Sequence, residues 1–227
     1  MPRSAYRFWD ELGLPEGPLV AYQGAMVVAM PEGRALAKIT LPDAGAREAV
    51  LWAIARGVLT QVYIGEELWV SREDPRVRHY IDDNHIPAWV RSPGEIVDWP
   101  EPPVKVLLQG DSWQLDGLRR ELEALVASYA IRVFKSQSDY LELVNGQVGK
   151  SMGLKKAAQI LGVPQSRVFA LGDAENDIDM LQWAGWGVAM GQASDAVKAA
   201  ADAVTNLVDE DGAALALERW VLEKMMD

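Results

Sequence analysis

Apolar and polar positions follow two different rhythms along this chain. From Ser151 onward, short apolar runs of strand length alternate with stretches of helical periodicity. Residues 152–161 predict a helix closed by Gly162 and Pro164, and 168–171 form a wholly apolar run, as expected of a parallel strand covered on both faces. Residues 177–184 predict a helix stopped by Gly185, 187–190 a strand, 194–200 a helix, 203–205 a short strand and 212–225 a closing helix. This alternation predicts a parallel sheet with helical crossovers.

Upstream the strands crowd together. A short helix over 4–12 and a strand over 19–22 precede a hairpin whose arms, 25–29 and 35–40, flank Pro31-Glu32-Gly33. A helix is predicted over 43–56, with Asp43 as its N-cap and Gly57 as its stop. Strands follow at 60–64, 68–70, 104–108, 131–134 and 140–144, with a helix at 112–128. Residues 71–103, rich in Pro, Asp and Trp, predict a short helix among long loops. The change of pattern predicts an α/β protein in which an α+β domain is inserted into a parallel-sheet core.

Composition narrows the functional classes. The 227 residues are 49% apolar and 24% charged, the mix of a globular protein rather than a disordered one. With 22 basic and 33 acidic side chains the net charge is −11, which disfavours nucleic acid as a partner. No Cys is present, so disulfides, thiolate metal sites and cysteine nucleophiles are excluded, and only His79 and His85 offer imidazole chemistry. No apolar run approaches the ~20 residues that span a membrane, and Met1-Pro2-Arg3-Ser4-Ala5-Tyr6 has no apolar signal core behind it. A cytoplasmic location without membrane contact is the expectation.

The most informative stretch is Gly172-Asp173-Ala174-Glu175-Asn176-Asp177, at the end of the apolar run. Ligands of open parallel sheets bind beyond the carboxyl ends of strands. Gly172 would let the backbone turn and a ligand approach, and Asp173 and Asp177, four apart, can face one point. Paired carboxylates suit Mg²⁺, which takes oxygen ligands and keeps phosphate oxygens in its shell. The same acids would equally suit the start of the following helix. Gly149-Lys150-Ser151 invites a P-loop reading, but the glycine that motif needs five positions before Gly149 is Val144 here. Lys150 at a helix mouth can still hold a phosphoryl group as a point charge, or be a solvated lysine. Asp82-Asp83-Asn84-His85 reads as a solvated loop, and the nine Trp residues have no stacking rhythm.

The ordered set Gly149-Lys150-Ser-Met-Gly-Leu, Gly172-Asp173-Ala-Glu-Asn176-Asp177-Ile-Asp-Met-Leu and Ala184-Gly-Trp-Gly-Val-Ala-Met-Gly191 resembles the haloacid dehalogenase superfamily, closest to its Cof-like branch of large-capped phosphatases. Ala21-Tyr-Gln23-Gly24-Ala25 also fits, with Gln23 where that family commonly has Asn. The resemblance implies a Rossmann-like core in two parts, residues 1–41 and 146–227, with 42–145 as the inserted α+β cap that selects substrate. It implies Mg²⁺-dependent hydrolysis of a small phosphorylated metabolite, such as a sugar phosphate, through an aspartyl-phosphate. Lys150 would hold the phosphoryl group, Asp173 would ligate Mg²⁺, and Asp177 would ligate it or orient its water. Asn176 would support the network, and Gln23 and Gly24 would contact phosphate.

The family's nucleophile and general acid lie in Asp-x-Asp-Gly-Thr, which these residues do not contain; Gln114-Leu115-Asp116-Gly117-Leu118 has Gln in the nucleophile's place and falls in the cap. The first strand, first helix and second strand of the core are expected upstream of Met1, in a longer reading frame. The other reading is a catalytically inactive relative that binds a ligand or a partner, with bared sheet edges paired in a homodimer.

Overall fold

A computed structural model describes residues 1–84 and 86–222. It divides into two compact units, Met1–Val148 and Gly149–Asp227.

In the first unit, a 3₁₀ turn and helix α1 (Tyr6–Glu11) lead into strands β1 (Gly17–Ala21), β2 (Met26–Met30) and β3 (Arg34–Lys38). They form an antiparallel sheet in chain order, with Val20 opposite Val27 and Val27 opposite Ala37. Helix α2 (Asp43–Ala55) follows, then β4 (Leu59–Ile64), β5 (Glu67–Val70), α3 (Pro75–Asn84), β6 (Ala88–Val90), β7 (Lys105–Gln109), α4 (Ser112–Val126), β8 (Ile131–Gln137) and β9 (Tyr140–Asn145). The six strands order as β6-β5-β4-β7-β9-β8, antiparallel except where β5 meets β6.

Period-two alternation sorts this sheet into two faces. Val62, Val106, Leu143 and Val133 lie side by side across four strands and join one buried cluster. Ala46, Ala49, Val50 and Ala53 of α2, spaced as one helical stripe, belong to the same cluster, with Leu115, Leu122 and Val126 of α4. The opposite face carries polar groups that satisfy one another. Tyr63 OH donates to Gln61 (3.0 Å), Gln61 Nε2 to Gln109 (3.0 Å) and Gln109 Nε2 to Asp139 (3.2 Å). Lys105 pairs with the buried Glu142 at 3.2 Å.

The stretch 71–103 holds the short helix expected there, together with strand β6 and a 3₁₀ turn over Glu95–Val97. Asp74 Oδ1 accepts the N–H of Arg76 and caps α3, with Pro75 at the first position, so the acids after Tyr80 end a helix rather than form a loop. His85 and the side chains of Asp83 and Asn84 lie outside the described residues, as does the predicted helix beyond Leu222.

Asp43 does not cap α2: Pro42 holds the cap position, and Asp43 stands in the first turn. Its carboxylate accepts from Arg47 Nε (2.8 Å) and Trp99 Nε1 (2.6 Å), and these bonds hold its pKa below the ordinary carboxylate range.

In the second unit, α5 (Lys150–Leu161), β10 (Phe169–Gly172), α6 (Ile178–Trp183), β11 (Trp186–Ala189), α7 (Asp195–Ala199), β12 (Ala203–Val204) and α8 (Gly212–Leu217) alternate as expected. The strands form a parallel sheet, β10-β11-β12, with Leu171 beside Val188 and Val188 beside Ala203. β10 is an edge strand of this sheet, and its residues alternate between buried and half-buried, so within this unit it is not covered evenly on both faces as its apolar run predicts. Ala170, Leu181, Ala189, Ala193 and Val197 make the unit's core, against which Leu154 of α5 packs. Among the described residues no helix is long and apolar enough to cross a membrane.

Two outcomes follow from the first unit. A Cβ at Gly45 would lie 2.6 Å from Tyr129 Cγ and 2.8 Å from Ile131 Cδ1, whereas one at Gly94 meets nothing within 4 Å. Gly45→Ala is expected to destabilise by about 1–2 kcal/mol, overpacking outweighing the gain in helix propensity, and Gly94→Ala to stay within about 0.5 kcal/mol, read from urea midpoints. A carboxyl whose folded pKa is depressed stabilises above its unfolded pKa, and that stability is lost as pH falls through the folded value. Solvent screens this half-exposed carboxylate, so Asp43→Asn is expected to cost only a few tenths of a kcal/mol, at most about 1, near neutral pH and progressively less in acid, in unfolding curves taken across that range.

Candidate active site

β10 delivers the chain to Gly172, and a 3₁₀ turn over Glu175–Asp177 carries it into α6. Within this turn the Asp177 side chain folds back on the strand end. Its Oδ2 accepts the backbone N–H groups of Asp173 and Ala174, each at 3.1 Å. A Cβ on Gly172 would lie 2.5 Å from Asp177 Cβ and 2.8 Å from its Cγ. The missing side chain at Gly172 thus admits Asp177, rather than leaving open room for a ligand.

Asp177 is buried, at 3% exposure. A carboxylate taken out of water needs charge and hydrogen-bond compensation, and beyond the two amides it receives Lys150 Nζ on Oδ1. Lys150 is the first residue of α5, which starts two residues before the predicted position 152, and its side chain remains 31% exposed. The lysine therefore meets the acid on one side and solvent on the other.

Asp173 points differently. It is exposed, and its Oδ2 stands 3.5 Å from Gln192 Nε2. Gln192 in turn accepts the N–H of Val208 at 3.1 Å. The spacing of four does not set both carboxylates on one helix face, because a strand end and a 3₁₀ turn intervene. Asn176 sits half-buried in that turn, next to Asp177. Lys150, Asp173, Asn176 and Asp177 thus share one end of one sheet. Gln23 and Gly24 belong to the first unit, in the turn between β1 and β2, with φ of 59° and 97°. Gln23 holds a left-handed conformation there, which a non-glycine residue rarely adopts.

Sequence reasoning passed over several residues. Asp179 Oδ2 accepts the backbone N–H of Ser151 (3.0 Å) and its hydroxyl (2.7 Å). The signal was a second acid two residues beyond Asp177 and a hydroxyl directly after the lysine. An Asp-x-Asp-Gly run, Asp209-Glu210-Asp211-Gly212, also went unremarked. Its three acids are exposed, Asp209 and Glu210 in a 3₁₀ turn and Asp211, at φ 56°, at the cap position of α8. The Gln114-Leu115-Asp116 run lies on α4, where Asp116 pairs with Lys135 at 2.8 Å.

The donor set bears on Mg²⁺. Among the described residues no three acidic or imidazole side chains cluster as a metal cage. Mg²⁺ does not need one: it binds through one or two carboxylates, retaining waters and substrate phosphate oxygens. An open carboxylate at Asp173, beside an acid fixed by backbone amides, fits that requirement.

A family model of haloacid dehalogenase-like hydrolases matches residues 1–217. The 5-amino-6-(5-phospho-D-ribitylamino)uracil phosphatase YcsE of Bacillus subtilis is 40% identical over 108 residues, 47% of this chain and 43% of that protein. A second B. subtilis protein of the same named activity, YitU, is 42% identical over 80 residues, 35% of this chain and 30% of that one. The matches thus span less than half the length of either relative. A haloacid dehalogenase-like hydrolase from Bacteroides thetaiotaomicron superposes with a TM-score of 0.83 at 29% identity, over 96% of this chain and 83% of that one. With its βα-alternating second unit and its ordered lysine and acid motifs, the chain belongs to the haloacid dehalogenase-like hydrolases.

Proposed function

We propose that these residues form the metal- and phosphate-holding side of a Mg²⁺-dependent phosphatase of small phosphorylated metabolites, sugar phosphates among them. The observation that carries this reading is the Lys150–Asp177 ion pair set beside the open carboxylate of Asp173. The names of the two B. subtilis relatives support the substrate class, since each specifies a phosphatase of a phosphorylated ribitylamino compound. We further read residues 42–145 as the inserted cap and 1–41 with 146–227 as the core.

Asp173 would hold the cation, together with substrate oxygens and water. Mg²⁺ would supply charge neutralisation for a phosphoryl group whose transition state spreads charge over its equatorial oxygens. Asp177 acts by position: its two oxygens already hold the Asp173 loop and Lys150, so a direct metal bond would compete with the lysine. Lys150, with its ammonium fixed but partly open to solvent, offers the phosphoryl group a point charge. Asn176 braces the same turn, and Gln23 and Gly24 remain proposed phosphate contacts.

The covalent step needs an aspartate nucleophile and a general acid in Asp-x-Asp-Gly-Thr. These 227 residues hold no such motif, and the two partial runs lie on a helix and in an exposed turn. Binding without turnover, by a catalytically inactive ligand- or partner-binding relative, is the second reading, and this absence is what favours it.

With Mg²⁺, inorganic phosphate is expected to bind in calorimetric titrations, and Asp173→Ala or Lys150→Ala to weaken it about tenfold or more, the scale of a lost charge-assisted contact. Hydrolysis of an aryl phosphate by this chain is expected to stay near background. Phosphate binding indifferent to both substitutions would contradict the site. Robust, EDTA-sensitive hydrolysis abolished by Asp173→Ala would overturn the expected lack of turnover while supporting the metal position.

A further inference from the structure

We infer that Asp179 is a positioning residue for Lys150, holding the backbone directly after the lysine so that its ammonium reaches Asp177. The inference rests on the phosphate-binding reading above for its functional meaning, and on geometry for its structural one.

Helix α5 starts without a cap of its own. Its N-cap residue is Gly149, which has no side chain to accept the orphan N–H groups of the first turn. The acceptor comes instead from the first turn of α6. Asp179 Oδ2 takes the N–H of Ser151 at 3.0 Å and the Ser151 hydroxyl at 2.7 Å, placing negative charge at the positive end of α5. The same oxygen lies against Gly149, where a Cβ would collide with it. Gly149 has φ −157° and ψ 159°, extended values that any residue adopts, so what a side chain there would disturb is the Asp179 carboxylate and not the backbone conformation.

One carboxylate oxygen therefore holds Ser151, the residue after Lys150, by two bonds and sits close against Gly149, the residue before it. Two residues earlier, Asp177 receives the Lys150 ammonium. Residues two apart at a helix start point in different directions, so Asp177 and Asp179 hold separate parts of the same lysine: one its charge, the other its backbone. A four-carbon lysine stem is otherwise free to reorient, and fixing its origin reduces the entropy lost on holding the ammonium at one point.

The test uses the ¹H–¹⁵N resonance of the Lys150 ammonium, assigned by its absence from Lys150→Arg. Asp179→Ala is expected to move this resonance to the position of exposed lysines. It is also expected to weaken Mg²⁺-dependent binding of inorganic phosphate about tenfold, equivalent to about 1.4 kcal/mol. Asp179→Asn, which keeps an oxygen acceptor, is expected to retain most of both properties. A lower melting temperature in Asp179→Ala with an unchanged Lys150 resonance and unchanged phosphate affinity would reduce Asp179 to a helix cap and overturn the inference. Should Asp179→Ala fail to fold, Ser151→Ala, which removes only the hydroxyl bond, is expected to shift the resonance in the same direction, and no shift would overturn it. If the parent protein binds no phosphate, the phosphatase reading fails, and the resonance still decides whether Asp179 positions the lysine.

Discussion

A buried carboxylate is the constraint around which the second unit is organised. Asp177, at 3% exposure, cannot keep its charge without partners, and it finds three: two backbone amides of the loop that follows β10, and the ammonium of Lys150. Each partner is also a structural commitment. The amides fix the loop that presents Asp173 to solvent, and the ammonium joins α5 to the start of α6. Gly172 belongs to the same arrangement, because only a residue without Cβ lets the carboxyl approach the strand end. The proposed phosphate-binding geometry would then be a by-product of neutralising one acid, since the two groups left facing solvent, Asp173 and Lys150, are opposite in charge, as a cation and its oxyanion would require.

The first unit solves its polar burial differently. Its sheet buries an apolar face beneath α2 and α4 and leaves on the other face a chain of uncharged donors and acceptors, Tyr63, Gln61 and Gln109, ending on Asp139. A network of amides and hydroxyls carries no net charge that must be neutralised, so it can be extended along the sheet without a matching cation. The charged groups are Asp139, half-buried at the end of that chain, and Lys105 and Glu142, which pair with each other.

Much of this was legible in the residues. The βα alternation after Ser151 was readable from its pattern, the hairpin from the break at Pro31-Glu32-Gly33, and the 43–56 helix from its flanking Asp43 and Gly57, although Asp43 proved not to be the cap. Lys150, Asp173, Asn176 and Asp177 were readable as an ordered motif. Their division of labour was not, because spacing four predicts a shared helix face only where the chain is helical, and here a strand end and a 3₁₀ turn lie between the acids. The polar stretch 71–103 was expected to hold a short helix, but the place of α3 was not readable, since an Asp-Pro start is a weak signal among many loop-forming residues and the cap comes from Asp74 Oδ1 on the Arg76 amide. Asp179 escaped notice because its partner lies in another helix, far along the chain, where periodicity carries no information.

The central claim is that Lys150 and Asp177 stabilise the fold and the site through each other. Unfolding free energies of the parent, Lys150→Met, Asp177→Asn and the double variant measure this directly. A coupling of about 1–3 kcal/mol is expected, the double variant being less damaged than the sum of the singles. Additive losses, with coupling below about 0.3 kcal/mol, would contradict the account.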